Sequence, residues 1–263
     1  MTTEDTMIAD LHVVVDGREQ TDRPPLVLLH GVGDRASSWD AVIAQLPADR
    51  TVVRYDLRGH GSSPAPEGPW TIDDFVADHL RLVTALDLPA ADVVGFSLGG
   101  LIAQRVAATH PEVVHRLVLV GAVAGRTEAE RRAVRDRLAL VETEGPLGAA
   151  QRSVDRWYSA EFLAEHPDVR ERTIERMASL DPVGYTHAYR VLATTDLVDH
   201  LGSITAPTLA VTGEFDVGSP PRMSQSIAEG VRDGRWSVIP DARHSVLVED
   251  PVHVAKELMS HVG

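Results

Sequence analysis

Residues 92–99 read Asp-Val-Val-Gly-Phe-Ser-Leu-Gly and are the most informative stretch of this 263-residue chain. Their last five residues match the pattern G-x-S-x-G. A short apolar run precedes the pattern, and a helical periodicity over Leu98–His110 follows it. A nucleophilic serine of this type needs that order of strand, tight turn and helix, with small residues on either side to relieve crowding at the turn. The sequence therefore predicts that the hydroxyl of Ser97 projects from the end of a sheet and acts as a nucleophile.

Short apolar runs recur on both sides of this motif. Most are continuous runs of Val, Leu and Ile, which favour strands buried on both faces of a parallel sheet. A helical pattern at Ile72–Leu86, with Thr71 as its N-cap, lies between two of the runs. This alternation indicates an α/β fold with a mostly parallel, doubly wound sheet flanked by helices. The predicted strands are His12–Val15 (alternatively an antiparallel edge strand), Leu26–His30, Thr51–Tyr55, Asp92–Gly95, Leu117–Gly121, Thr208–Thr212 and Trp236–Ile239.

Residues 126–200 interrupt the alternation. They are rich in Arg and Glu, have helical periodicity and contain no convincing strand. Because this segment begins directly after a strand, we expect it at the carboxyl ends of the strands, where open α/β sheets bind ligands. The sequence thus predicts a single domain, with a core formed by residues 1–125 and 201–263 and a helical cap inserted at 126–200.

A serine hydroxyl is a weak nucleophile until a base removes its proton. Of the 12 histidines, His244 is the best candidate, because it follows the last predicted strand in a loop that can reach over the sheet. The acid that orients such a histidine lies between the serine and the histidine in chain order. Asp216, just past the strand Thr208–Thr212, fits this position, and Glu214 and Asp241 are its rivals.

The reaction also needs two backbone N–H groups that point at the developing oxyanion. The residue after the nucleophile, Leu98, is expected to supply one. The loop His30-Gly31-Val32-Gly33 follows a predicted strand, and its glycines allow the backbone to approach a substrate closely. Val32 is therefore the expected second donor.

The composition of the chain limits the kinds of molecule that it is expected to bind. The chain has 25 Lys and Arg against 39 Asp and Glu, a net charge of −14, which argues against nucleic acid or an anionic membrane as partner. It has no cysteine, which excludes disulfides, thiolate metal sites and a cysteine nucleophile. Residues 1–10 lack the apolar run of a signal peptide, and no metal or dinucleotide motif occurs. We expect a cytoplasmic enzyme with a small-molecule substrate and without metal or cofactor; the oligomeric state stays open.

Five blocks of the chain resemble the signature blocks of the α/β-hydrolase superfamily and occur in the family's order. The resemblance covers the chain from about residue 12 to the end. It implies the α/β-hydrolase fold and a catalytic triad of Ser97, Asp216 and His244. The blocks are His30-Gly31, residues 56–63, Gly95–Gly100, Gly213–Asp216 and His244.

Within the superfamily the chain is most similar to the 3-oxoadipate enol-lactonases. This likeness implies hydrolysis of a small carboxylated ester, enol-lactone or activated amide through an acyl-enzyme, in the catabolism of ring-cleavage products. A general carboxylesterase or a cofactor-free haloperoxidase or perhydrolase would keep the same triad. The intact triad disfavours a non-catalytic binding protein, and Ser97 disfavours relatives with an aspartate nucleophile. The similar stretches are residues 54–56, 58–61, 96–100, 156–158 and 195–197.

Arginines in the predicted cap could recognise a substrate carboxylate. Two of them stand four residues apart and would share one face of a helix. An arginine binds a carboxylate through two parallel hydrogen bonds, and neighbouring aromatic residues would close an apolar pocket around it. The alternative is that these arginines pair with cap acids such as Asp155 and Glu161. The expected substrate contacts are Arg152, Arg156, Trp157 and Tyr158.

Overall fold

A computed structural model describes residues 2–17 and 21–263 of the chain. Its strands are β1 (Thr2–Ile8), β2 (Leu11–Gly17), β3 (Leu26–Leu29), β4 (Val52–Tyr55), β5 (Ala91–Phe96), β6 (Val114–Val120), β7 (Thr208–Gly213) and β8 (Gly234–Ile239). They form one sheet in the order β1-β2-β4-β3-β5-β6-β7-β8. All pairs from β4 to β8 are parallel, and β1 and β2 are antiparallel. The predicted mostly parallel sheet is confirmed.

The edge of the sheet differs from the sequence prediction. The strand predicted at His12–Val15 is antiparallel, as the alternative had it, but it is the second strand rather than the edge. The edge strand on this side of the sheet is β1, which was not predicted from the sequence. Residues 3–7 of β1 are exposed, so the strand carries no apolar pattern that could reveal it. Ala9 and Asp10, both at positive φ, form the two-residue turn into β2, as in a type I′ hairpin.

The central strands are apolar because both faces of the sheet are covered. Along β3, Val27 and Leu29 pack into one core, and Leu26 and Leu28 pack into the other. Helices α2 (Ile72–Ala85), α3 (Leu98–Thr109) and α8 (Pro221–Gly230) supply the first core. Helices α1 (Asp40–Ile43), α9 (Val246–Glu249) and α10 (Pro251–Val262) supply the second. This two-sided burial explains the continuous apolar runs.

Between β6 and β7 the chain is helical. It forms α4 (Glu128–Trp157), α5 (Ala160–Glu165), α6 (Pro167–Ala178) and α7 (Pro182–Thr194). Gly145, at positive φ and followed by Pro146, interrupts α4. A small apolar cluster that includes Val141, Met177 and Tyr185 joins α4, α6 and α7.

Two residues fasten the ends of this helical segment to each other. The carboxylate of Asp196 accepts hydrogen bonds from the N–H groups of Gly125 and Arg126, both 2.9 Å long. The buried guanidinium of Arg126 donates to the carbonyls of Leu192 and Thr195. The segment therefore leaves and re-enters the core at one closed joint. No helix of the described residues is both long and apolar enough to cross a membrane.

Candidate active site

Ser97 occupies the sharp turn between β5 and α3. Its backbone has φ 52° and ψ −110°, a strained conformation for a residue with a side chain. The turn is so tight that a Cβ on Gly95 would lie 2.2 Å from the carbonyl oxygen of Gly99. A Cβ on Gly99 would lie 2.3 Å from the carbonyl oxygen of Leu29 on the neighbouring strand. Glycine is thus required on both sides of the serine, the physical reason for the G-x-S-x-G pattern.

The three side chains predicted as a triad are hydrogen-bonded in series. His244 Nε2 lies 3.2 Å from Ser97 Oγ, and His244 Nδ1 lies 2.7 Å from Asp216 Oδ2. The other oxygen of Asp216 accepts hydrogen bonds from the N–H groups of Gly218 and Ser219. Both Ser97 and Asp216 are buried, with exposed fractions of 5% and 3%.

Of the two rival acids, neither contacts His244. Glu214 is exposed, and its carboxylate accepts a hydrogen bond from the backbone of Asp241. Asp241 itself sits at positive φ in the turn after β8. Asp216 is therefore the carboxylate that the fold brings to the histidine.

The pKa shifts of His244 and Asp216 are those expected when a carboxylate stabilises a histidine base. Burial by itself would lower the pKa of His244, but the charge of Asp216 and its hydrogen bond outweigh burial, and the pKa is raised above 6.5. Burial by itself would raise the pKa of Asp216. The charge and hydrogen bond of His244, with the two backbone donors, outweigh it and lower that pKa. The carboxylate of Asp216 is thus favoured in its ionised form and stabilises the imidazolium that forms when His244 takes a proton.

Contacts from several elements fix the loop that carries His244. The N–H of Ser245 donates to the carbonyl of Trp157 at the end of α4, over 2.8 Å. The carboxylate of Glu249 accepts from the N–H groups of Arg243 and Ser159. The ring of Phe96 packs against the imidazole, with centroids 5.2 Å apart. The imidazole is thereby positioned by the sheet, by α9 and by the inserted helices together.

Backbone N–H groups are available beside Ser97. Leu98 is the first residue of α3, so its N–H has no acceptor within that helix. Val32 lies in the loop after β3, and its N–H donates to no oxygen of residues 2–17 and 21–263. The loop touches the serine, since a Cβ on Gly31 would lie 3.3 Å from Ser97 Cβ. The two predicted oxyanion donors therefore lie on the two segments that flank the hydroxyl.

A cavity of about 200 Å³ opens onto Ser97 and His244. Residues of helices α4, α6 and α7 form much of its wall. Its apolar lining includes Val134, Val141, Met177 and Tyr185.

Two of the four expected substrate contacts line this cavity, Arg156 and Trp157. The other two do not. Arg152 lies on the outside of α4, where its guanidinium pairs with Glu144 at 2.8 Å. Tyr158 is buried outside the cavity lining, with its hydroxyl 3.2 Å from Thr173 Oγ1. A spacing of four puts Arg152 and Arg156 on neighbouring positions of one helix, but the long side chain of Arg152 turns away from the cavity toward Glu144.

Arg137, which was not predicted from the sequence as a site residue, also lines the cavity. Arg137 falls between Val134 and Val141 at the spacing of one helix face, and all three point to the cavity. The available signal was a charged residue between two apolar positions of one helix face.

The family follows from sequence and structure together. Residues 24–251 match the family described as alpha/beta hydrolase fold, and this chain belongs to that family. The enol-lactonase from Burkholderia xenovorans has a similar structure, with a TM-score of 0.88 and 28% identity over 95% of each chain. The chain is a hydrolase by this membership.

Two hydrolases of known name are similar to this chain in sequence. The chain is 31% identical over 232 residues to 3-oxoadipate enol-lactonase 2 of Acinetobacter baylyi, covering 88% of this chain and 86% of the relative. It is 32% identical over 244 residues to the (E)-2-((N-methylformamido)methylene)succinate hydrolase of the same organism, covering 92% and 91%. The resemblance to enol-lactonases stated from the sequence is confirmed.

Proposed function

We propose that this chain is a serine hydrolase that cleaves a small carboxylated ester, enol-lactone or activated amide through an acyl-enzyme, in the catabolism of ring-cleavage products. The observation that carries the proposal is the hydrogen-bonded series of Ser97, His244 and Asp216 at a cavity that also holds Arg156. The names of the two relatives, a lactonase and a hydrolase of an amide-bearing succinate, support the same range of scissile bonds.

In the first half of the reaction Ser97 Oγ attacks the carbonyl carbon of the substrate, and His244 Nε2 takes the hydroxyl proton. The N–H groups of Leu98 and Val32 stabilise the oxyanion that develops on the carbonyl oxygen. Asp216 stabilises the imidazolium through its hydrogen bond to Nδ1. The carbon–oxygen or carbon–nitrogen bond then breaks, and the leaving atom receives the proton from His244. In a lactone the leaving oxygen stays attached to the acyl chain.

In the second half a water molecule attacks the acyl-enzyme. His244 Nε2 removes a proton from the water as the new carbon–oxygen bond forms, and the same donors hold the second oxyanion. Collapse of this intermediate breaks the bond to Ser97 Oγ, which regains its proton from His244. The product is a carboxylate, and the enzyme returns to its starting state.

We further propose that residues 126–200 act as the cap of a single domain whose core is 1–125 and 201–263. The cavity that meets Ser97 is walled by helices of this segment, which supports the assignment. In the cap, Arg156 is the proposed partner of a substrate carboxylate and Trp157 of its apolar part. No salt bridge joins Arg156 to a carboxylate of the described residues; its neighbour Asp155 pairs with Arg170 instead.

The test compares wild type with Ser97→Ala. A fluorophosphonate probe should label the wild type and leave the variant unlabelled, because only an activated serine reacts. Loss of the nucleophile should lower kcat by about 10⁶ on any substrate found in a screen of enol-lactones, p-nitrophenyl esters and N-acyl enamine dicarboxylates. An Ser97→Ala variant that keeps a few percent of activity would show that the triad is assigned wrongly.

The substrate class is tested separately, by pairing each carboxylated substrate with its methyl ester. We expect wild type to prefer the free acid, and Arg156→Ala to lose that preference through a lower kcat/KM for the acid alone. A wild type that prefers neutral esters would instead be a general carboxylesterase.

A further inference from the structure

Four arginines line the cavity beside Ser97, and two of them have structural partners. Arg126 donates to the carbonyls of Leu192 and Thr195 in the joint of the inserted segment. Arg176 pairs with Asp34 and donates to the carbonyl of Gly33. Each of these two guanidinium groups thus has acceptors within the protein.

The other two, Arg137 and Arg156, have no carboxylate partner within the part of the chain that the structure describes. Arg137 makes one contact, from its Nε to the hydroxyl of Tyr189 at 3.3 Å, which leaves its other N–H donors free. The acids that line the same cavity are already engaged, Asp34 with Arg176 and Glu130 with Arg222. In a protein of net charge −14, Arg137 and Arg156 are thus the two cavity arginines whose guanidinium groups have neither an ion pair nor a carbonyl acceptor among the described residues.

These two cations lie at different places along α4. Arg156 is next to Trp157, whose carbonyl accepts the hydrogen bond from Ser245, so it is near the triad histidine. Arg137 lies before the break at Gly145 and is held by Tyr189 from α7. The positive charge of Arg156 tends to lower the pKa of His244. The positive charge of Arg137 in turn lowers the pKa of Arg156. The position of each arginine along α4 and the contact of Trp157 with the loop of His244 place Arg156 nearer to the triad than Arg137.

Resting on the proposed function, we propose that the substrate is a small dicarboxylate, with one carboxylate on Arg156 near Ser97 and the second on Arg137. Two cations that line the same partly buried cavity repel each other, and a dianion with one carboxylate at each arginine removes that repulsion. Each arginine binds a carboxylate in its own plane, so the pair also fixes the direction in which the substrate lies. Arg137 is then the residue that separates diacids from monoacids.

The experiment measures competitive inhibition of p-nitrophenyl acetate hydrolysis at pH 8 by succinate, glutarate and adipate. Each diacid is compared with its monoamide, which has the same length and one charge fewer. At the best chain length, wild type should bind the diacid about tenfold to 100-fold more tightly than the monoamide, the effect of a charged hydrogen bond shielded from water. Arg137→Gln should abolish this difference, and Arg137→Lys should keep part of it.

Arg152→Gln is the matched control, since Arg152 lies on the same helix and pairs with Glu144 on the outside. It should keep the wild-type difference between diacid and monoamide. If wild type binds both equally, the dicarboxylate inference is wrong even though the hydrolase stands. If Arg137→Gln and Arg156→Gln weaken the monoamide as much as the diacid, the two arginines share one carboxylate, and the inference is also wrong. Failure of the fluorophosphonate to label wild type would instead overturn the proposed function itself.

Discussion

Asp216 and Glu214 stand two positions apart after β7, yet only Asp216 reaches His244. The turn after the strand buries Asp216 and aims two backbone N–H groups at one of its oxygens, so the other oxygen is left for the imidazole. Glu214 faces solvent at the same turn. Backbone geometry, rather than the type of acid, selects the partner of the histidine.

Asp216→Asn tests this selection through the pH dependence of the reaction. His244 acts as a base when neutral, and its pKa in the folded protein is raised, so wild-type kcat/KM should fall as the pH drops through a value above 6.5. Without the negative charge, burial is left to lower the histidine pKa, and the acid limb should move to lower pH. At the same time kcat should drop by about 10⁴, because the imidazolium loses its partner.

Glu214→Gln is the matched control and should keep the wild-type pH profile and kcat. A profile that moves in Glu214→Gln and stays put in Asp216→Asn would identify Glu214 as the acid. The readout is kcat/KM between pH 5 and 9 on one neutral ester.

At the scale of elements, the inserted helices and the sheet depend on each other. The carbonyl that ends α4 holds the loop of His244, and the joint at Asp196 closes the segment where it leaves the core. The position of His244 thus depends on how the helices between β6 and β7 pack against the rest of the protein.

Asp196→Ala should loosen this joint. The substitution leaves the N–H groups of Gly125 and Arg126 without their acceptor and should cost about 1–3 kcal/mol of unfolding free energy. Protease cleavage within residues 126–200 should also become faster, because local opening exposes the helices. Asp199→Ala, three residues on and exposed, is the control and should change neither measurement. Equal behaviour of the two variants would show that the joint adds nothing to docking.

For the molecule as a whole, a buried ion pair ties the chain end to the sheet. Asp92 at the start of β5 is fully buried and lies 2.8 Å from Arg50. His115 Nδ1 lies 2.7 Å from its other oxygen. Arg50 also donates to the carbonyls of Val262 and Gly263. Residues far apart in sequence are thereby joined at the end of β5 opposite to Ser97.

Arg50→Met should be strongly destabilising without affecting the chemistry. It leaves a buried carboxylate without its cation, which should cost about 3–5 kcal/mol in urea unfolding. The kcat/KM of the folded fraction should stay at the wild-type value, since the pair is at the far end of β5. The control is Arg172→Met, an exposed pair with Asp168 at 3.2 Å, which should cost about 0.3–0.5 kcal/mol. Similar losses in both variants would show that burial does not set the strength of the Arg50 pair.

The sequence by itself predicted the buried strands of a mostly parallel sheet and singled out Ser97, His244 and Asp216 as the candidate triad. Apolar runs and the turn around Ser97 are visible in the sequence because burial and backbone geometry act locally. The resemblance to the α/β hydrolases implied the fold and the triad. The edge strand β1 escaped because an exposed strand needs no apolar pattern.

Only the tertiary structure decided which cap residues face the cavity. Arg152 turned outward to Glu144 and Tyr158 packed away from the cavity, whereas Arg137 faces inward beside Tyr189. The direction of a long side chain depends on which partners other helices bring within reach, and no single helix contains that information. Likewise, the ion pair of Arg50 and Asp92 joins segments that meet only when the sheet has formed. Local patterns encode burial, and pairing between distant charges is encoded only by the fold.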